Sequence, residues 1–194
     1  ASLNRCAIGG NIAECAGGPR AFKYGTTKRY VLGLEAVLAT GEVIHTGGKT
    51  VKNVVGYDLT QTLIGSEGTL AIVTKAILRL IPLPPCRETV QATFRHIDDA
   101  VGAMIELVKA RVIPSALELI DLESLEAVAR YLDDRTLAPA GTAAMLLLEV
   151  DGLPETVREE AARVEDACRR VGAETVRRAA DVETRDELWR VRRE

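Results

Sequence analysis

No run of about 18 uncharged apolar residues occurs, which argues against a transmembrane helix. Cysteine is sparse: Cys6, Cys15, Cys86 and Cys168 form no Cys-x-x-Cys pair, and no histidine stands near them at ligand spacing. That scatter argues against a zinc site or a disulfide framework and fits a reducing cytoplasm. Neither sign of charge dominates. There are 25 Lys and Arg against 28 Asp and Glu, a net charge of −3, so no electrostatic footprint for nucleic acid exists. The opening residues Ala1-Ser2-Leu3-Asn4-Arg5 lack the basic-then-apolar pattern of a secretory signal. What is present is apolar content, 47% of 194 residues, enough for one large domain or two small ones with a real core.

The averages conceal a split. Residues 1–82 hold 12 of the 16 glycines and carry a charge of +4. The remaining 112 residues hold four glycines and carry −7. Between them lies Pro82-Leu83-Pro84-Pro85, which cannot donate ladder hydrogen bonds and favours an extended connector. The sequence therefore predicts two domains, 1–82 and 83–194. The first has the basic, glycine-rich character of an anion-handling surface.

Within the first part, Tyr30–Leu38 and Glu42–His45 flank Thr40-Gly41 and predict a β-hairpin. Asp58 is placed to cap a short helix through Leu63, with Gly65 at its end. Thr69–Ile81 predicts one long, largely buried strand. In the second part, strands are predicted over Glu88–Arg95, Ser115–Ile120, Ala143–Val150 and Glu174–Arg178. Helices are predicted from Asp98/Asp99, over Leu122–Leu132, and over Pro154–Val171, the last ended by Gly172. Setting the middle helix aside, the order is β-α-β-β-α-β, the ferredoxin-like arrangement of an α+β fold, with helices expected on one face of its sheet.

Two glycine clusters carry the chemical signal: Gly9-Gly10-Asn11-Ile12-Ala13-Glu14-Cys15-Ala16-Gly17-Gly18 and Gly65-Ser66-Glu67-Gly68-Thr69-Leu70. Glycine lets backbone N–H groups approach a phosphate and adopt the positive φ of an anion-binding nest. Neither cluster is GxxxxGK[ST], and neither follows a clear strand in G-x-G-x-x-G form, so a P-loop and a Rossmann site are both disfavoured. Plain turns remain the competing reading of these glycines.

Taken in order, the first cluster, Lys23-Tyr24-Gly25, Gly47-Gly48-Lys49-Thr50-Val51-Lys52-Asn53-Val54-Val55-Gly56-Tyr57-Asp58-Leu59, and the second cluster closely resemble the FAD-linked subunits of glycolate oxidases. More broadly they resemble the vanillyl-alcohol-oxidase-type flavoprotein superfamily, which includes D-lactate and D-2-hydroxyglutarate dehydrogenases. Two positions depart from the pattern: Cys15 stands where Asn is frequent, and Ala71 where Gly is usual. The resemblance implies the second half of a PCMH-type FAD-binding domain followed by most of a ferredoxin-like cap domain. It also implies an internal fragment of a longer chain. A further glycine-rich loop would precede it, and a His-rich, metal-holding segment with the catalytic base would follow it. His45 and His96 are poor matches for those histidines, so no metal ligand or catalytic residue is assigned within this sequence.

The resemblance further implies FAD as cofactor, bound through Gly9, Gly10, Asn11, Cys15, Gly17 and Gly18 along the diphosphate and ribityl region. Gly65, Ser66, Glu67, Gly68, Leu70 and Ile72 would lie toward the adenosine. Glu67 reads also as a solvated turn carboxylate, Asp58 as a helix cap and Tyr57 as core packing. Lys49, Lys52 and Arg20 read equally as surface charges or as phosphate-facing ones. Leu188-Trp189-Arg190-Val191-Arg192-Arg193-Glu194 resembles the family's Trp-x-x-Arg helix, in which Arg192 would take the substrate carboxylate and Trp189 would serve packing. The competing reading makes Arg190, Arg192 and Arg193 a solvated helical face. The implied activity is FAD-dependent oxidation of a small 2-hydroxy acid, of glycolate or D-lactate type, to the 2-oxo acid. It would take place in a cytoplasmic protein able to lie peripheral to the membrane, with iron–sulfur electron-transfer subunits as partners. The fragment alone is expected to be inactive and to lack flavin. The alternative is a noncatalytic binding or assembly module that keeps the fold without flavin.

Overall fold

The computed structural model describes residues 5–193. Residues 1–4, which bear on the secretory-signal reading, and residue 194, last of the Trp-x-x-Arg string, lie outside the described residues. The chain divides into two compact units, one ending at Pro82 and one beginning at Leu83.

In the first unit, β1 (Val31–Leu38) lies between β2 (Val43–Gly47) and β3 (Ala71–Leu78), antiparallel to both. The β1–β2 hairpin closes with Leu38 N–H donating to the Glu42 carbonyl at 2.9 Å, and Gly41 sits at φ 86°. Gly33 and Gly47 are register partners, and a Cβ on Gly47 (φ +64°) would stand 2.1 Å from the Leu32 oxygen. Only glycine admits that backbone approach. Three short helices complete the unit: α1 (Ile8–Glu14), α2 (Ala21–Tyr24) and α3 (Leu59–Leu63). The Asp58 carboxylate caps α3 by accepting the Gln61 N–H at 2.9 Å. Ile12, Val31, Leu34, Ala36, Leu63 and Ala71 form the core between the helices and one sheet face.

Two expectations are corrected here. The strand predicted over Thr69–Ile81 runs only from Ala71 to Leu78, and Ala71 is its one fully buried residue. It pairs with β1 alone, so it is an edge strand, and its apolar alternation does not describe burial on both faces. Tyr57, read as core packing, is 96% exposed within the open segment before α3.

In the second unit, β4 (Cys86–Phe94), β5 (Ala116–Asp121), β6 (Ala144–Gly152) and β7 (Thr175–Ala179) form an antiparallel sheet in the order β5-β6-β4-β7. With α4 (Ile97–Lys109) and α6 (Pro154–Arg170) this is the expected β-α-β-β-α-β order, and α5 (Leu122–Tyr131) is the inserted helix. Val90, Ala92 and Phe94 of β4 and Leu146, Leu148 and Val150 of β6 alternate toward α4 and α6. Cys168 of α6 is sealed in this layer, where burial pushes its thiol up to about 12 and leaves it unreactive. Arg178 of β7 ties the same layer together by donating to Glu88 and, at 3.3 Å, to Glu165.

Helices are not confined to one face. A seventh helix, α7 (Val182–Arg193), covers the opposite side of the sheet. Its Leu188 and Trp189 bury against Ala116, Leu147 and Ala179, and its Val191 joins Ile120, Leu125 of α5 and Met145. The physical reason lies in β6, which is nearly continuously buried and carries apolar side chains on both faces, Leu146, Leu148 and Val150 on one and Met145 and Leu147 on the other, so each face needs a cover. Among the described residues, no helix is long and apolar enough to cross a membrane, and no cluster of His, Cys, Asp and Glu could hold a metal ion.

Candidate functional site

The two glycine clusters come together at the C-terminal end of α1. Gly9, Gly10 and Asn11 are not loop residues; they form the first turns of this seven-residue helix, with Ile12 as its one buried anchor. The helix then stops abruptly at Cys15, in the left-handed conformation at φ 54°, ψ 47°. Cys15 N–H returns to the Ile12 carbonyl at 3.2 Å and Ala16 N–H to the Asn11 carbonyl at 2.8 Å, the bond pair of a Schellman ending. Asparagine and glycine suit that conformation best, which gives the Cys15 departure a local meaning.

The second cluster crosses this ending. Gly65 N–H donates to the Ile12 carbonyl at 3.1 Å and Glu67 N–H to the Ala13 carbonyl at 3.0 Å, so the turn satisfies carbonyls that a helix end leaves open. Gly65 (φ +82°), Glu67 (φ 51°) and Gly68 (φ +78°) are all left-handed. A Cβ on Gly65 would stand 3.1 Å from that of Cys15, so position 65 requires glycine for space as well as for φ.

Around this junction the backbone is open. Gly9, Gly10, Gly17, Gly18, Gly65, Glu67, Gly68, Leu70 and Ile72 are exposed, while Asn11, Cys15 and Ser66 are half-buried. At Gly9, Gly10 and Gly18 an added Cβ would meet nothing within 4 Å. The chain itself does not demand glycine there, whereas close approach by an external group would. The first turn of α1 has no side-chain cap, so its N–H donors are not taken by a capping side chain. An exposed backbone without Cβ atoms, bearing uncapped donors, fits the diphosphate of a flavin dinucleotide. Asn11 directs Nδ2 toward Cys6 Sγ at 3.8 Å, and Cys15 Sγ lies 3.4 Å from Thr26 Oγ1. Lys49 and Lys52 sit in the exposed segment before α3.

The arginine site belongs to the second unit. Trp189 Nε1–H donates to Thr89 Oγ1 at 3.1 Å in a buried contact, so the tryptophan pins α7 to β4. One turn later, Arg192 Nε donates to Glu118 Oε2 of β5 at 2.6 Å. Arg190 donates to Asp134 at 3.1 Å and Arg193 to Asp186 at 2.6 Å. Sequence reading found the arginines but not Glu118 or Asp134. Those partners lie 74 and 56 residues away, so no local spacing announces them. His45 Nε2 lies 3.1 Å from Glu35 Oε2 on the surface of β2, and His96 is exposed at the start of α4.

Residues 83–194 match the family described as FAD linked oxidases, C-terminal domain, and residues 1–47 match the FAD binding domain family. The chain belongs to the FAD-linked oxidases, whose cofactor is FAD. It is 42% identical over 192 residues to the glycolate oxidase subunit GlcD of Bacillus subtilis (strain 168), covering 99% of this chain and 40% of that one. It is 40% identical over 185 residues to a D-lactate dehydrogenase of Archaeoglobus fulgidus, covering 95% and 40%. Glycolate oxidase subunit GlcD of Escherichia coli (strain K12) is 34% identical over 184 residues, covering 95% and 36%. The chain thus spans about two fifths of the length of these curated relatives. Among solved structures, an alkyldihydroxyacetonephosphate synthase superposes with a TM-score of 0.71 at 22% identity, covering 95% of this chain and 38% of that one; this likeness bears on the fold alone.

Proposed function

We propose that the protein carrying this chain oxidises a small 2-hydroxy acid, of glycolate or D-lactate type, to the 2-oxo acid. In this reading residues 1–82 contribute part of the FAD-binding domain and residues 83–194 part of the substrate domain. The observation that carries it is the junction of α1 with the Gly65–Gly68 turn, an open glycine backbone in which Gly9, Gly10 and Gly18 have no internal reason to lack a Cβ. Gly9, Gly10, Asn11, Cys15, Gly17 and Gly18 would hold the diphosphate and ribityl region, and Gly65, Ser66, Glu67, Gly68, Leu70 and Ile72 the adenosine end. FAD, when bound, supplies the two-electron acceptor for the substrate's Cα hydrogen. The chain's share is binding and orientation. Arg192 takes the substrate carboxylate through its guanidinium fork, which suits two coplanar oxygens. The subunit names of the glycolate oxidase relatives support assembly with further subunits, and iron–sulfur proteins fit the role of carrying electrons away.

One observation favours a second reading. Arg190, Arg192 and Arg193 already have carboxylate partners within the chain, as a helical face with a purely structural role would. In that case the chain belongs to a noncatalytic assembly module. Visible absorption of the purified whole protein, followed by mixing with 2-hydroxy acids, separates the two. Oxidised flavin that bleaches on adding glycolate or D-lactate supports oxidation. A colourless protein, or flavin that no 2-hydroxy acid reduces, refutes it.

A further inference from the structure

We infer that Glu118 is a positioning residue for the substrate carboxylate, holding the Arg192 guanidinium by its Nε so that the terminal nitrogens are presented as a fork. This rests on the reading of Arg192 proposed above. A guanidinium carries five N–H donors in one plane, and the Nε contact leaves the edge formed by the two terminal nitrogens. Among the described residues, Glu118 is the only side chain with which Arg192 forms a hydrogen bond or ion pair, at 2.6 Å.

Both partners stand on rigid elements. Glu118 lies in the middle of β5, on the face shared by Ala116 and Ile120, and pairs in register with Leu147 of the central strand β6. Its side chain is 20% exposed, against 41% for that of Arg192, so the carboxylate is the fixed end of the pair. On α7, Trp189 is tied to Thr89, and Leu188 and Val191 are buried on the flanks of the same turn. The Arg192 backbone is therefore fixed, and the remaining freedom is in its long side chain. Glu118 removes that freedom from the sheet side. The other two pairs on α7 differ: Arg193–Asp186 joins two residues of the same helix, and Asp134 lies in the connection after α5 rather than in a strand. An exposed ion pair adds little stability, so the strand-to-helix pair is better understood by what it orients.

The test is a double-mutant cycle in the whole flavoprotein, read as steady-state kinetics with a 2-hydroxy acid. Glu118→Ala should lower kcat/KM on the order of 10- to 100-fold, mostly through KM, because a loosened fork must be reordered by the substrate. Glu118→Gln, which still accepts the Nε–H, should recover most of that loss. In an Arg192→Ala background, Glu118→Ala should change kcat/KM by no more than about twofold, since its effect passes through the arginine. Flavin content and Tm should match those of the unmodified protein in the single variants. Losses that simply add, a Gln variant as impaired as Ala, or a silent Glu118→Ala beside an impaired Arg192→Ala, each overturn the inference while leaving the Arg192 reading intact. A fully active Arg192→Ala variant overturns that reading itself, and the inference with it.

Discussion

Replacing Gly10 and Gly65 by alanine, one at a time, separates the two reasons a glycine can stand at this junction. Gly10 is the third residue of α1, its φ lies outside the left-handed region, and a Cβ there would meet nothing within 4 Å. Glycine inside a helix costs about 0.5–1 kcal/mol relative to alanine, so Gly10→Ala should leave stability unchanged or raise it by up to that amount. Gly65 is the opposite case. Alanine at φ +82° carries a left-handed penalty of about 1–2 kcal/mol. Its Cβ would also press on that of Cys15 at 3.1 Å, where both backbones are held by bonds to Ile12. Together these give an expected destabilisation of about 2–3 kcal/mol. Urea unfolding of the whole protein reads both changes as shifts in midpoint at constant slope. FAD titration then supplies the second axis. If backbone donors at the start of α1 hold the diphosphate, the methyl of Gly10→Ala obstructs one charge-assisted bond, and losing about 1.5–3 kcal/mol is about 10- to 150-fold in Kd. A Gly10→Ala protein that binds FAD unchanged would remove Gly10 from the cofactor surface. A stable Gly65→Ala protein would refute the account of how the two clusters are joined.

Three further outcomes are expected. Cys15→Asn should raise stability by about 0.5–1 kcal/mol in the same assay, because asparagine tolerates the left-handed helix ending better than cysteine; a loss would mean that the Thr26 contact outweighs the backbone term. Trp189→Phe should cost about 1–2 kcal/mol, since it leaves the fully buried Thr89 hydroxyl without its donor, and an unchanged unfolding midpoint would contradict that contact. Glu35 is held down to about 2, first by the hydrogen bond from Lys75, then by Thr74 and His45. Its folded value lies below its unfolded one, so its contribution to stability is complete above about pH 4.5 and fades as the pH falls toward 2. Lys75→Met should return the Glu35 titration, followed by carbon NMR, toward the ordinary carboxylate range. High salt should do part of the same, because Lys75 is exposed.

Much of the fold was legible because its signals are local. Asp58 before α3, Pro154 opening α6 and Gly172 after it mark element ends through bonds that reach only three or four residues. The Gly41 turn and the apolar alternation of β4 and β6 likewise act within single elements or hairpins, so the β-α-β-β-α-β order could be read in sequence. The glycine clusters were legible as clusters, and the resemblance they carry identified the flavin-linked family to which the matched domains belong.

Other features depend on partners far along the chain. Nothing within Thr69–Ile81 says that the strand has a neighbour on one side only, and the same alternation would serve a central strand. Tyr57 is an aromatic beside a helix cap, and only the tertiary arrangement leaves it without a core to enter. Gly9 and Gly10 carry poor helix propensity, yet they begin α1 because Ile12 is buried against Val31, Leu34 and Leu63 and the Gly65 turn closes the helix end. Trp189 and the arginines were visible by themselves. Their partners Thr89, Asp134 and Glu118 are between 56 and 100 residues distant, and only the packing of α7 across the sheet brings them within hydrogen-bond reach. The sequence by itself determined the hairpin and capped helix of the first unit, the strand and helix order of the second, and the family. The tertiary structure decided which glycine turn closes which helix and which carboxylate holds which arginine, because short-range bonding is encoded residue by residue while long-range pairing exists only once the sheet has formed.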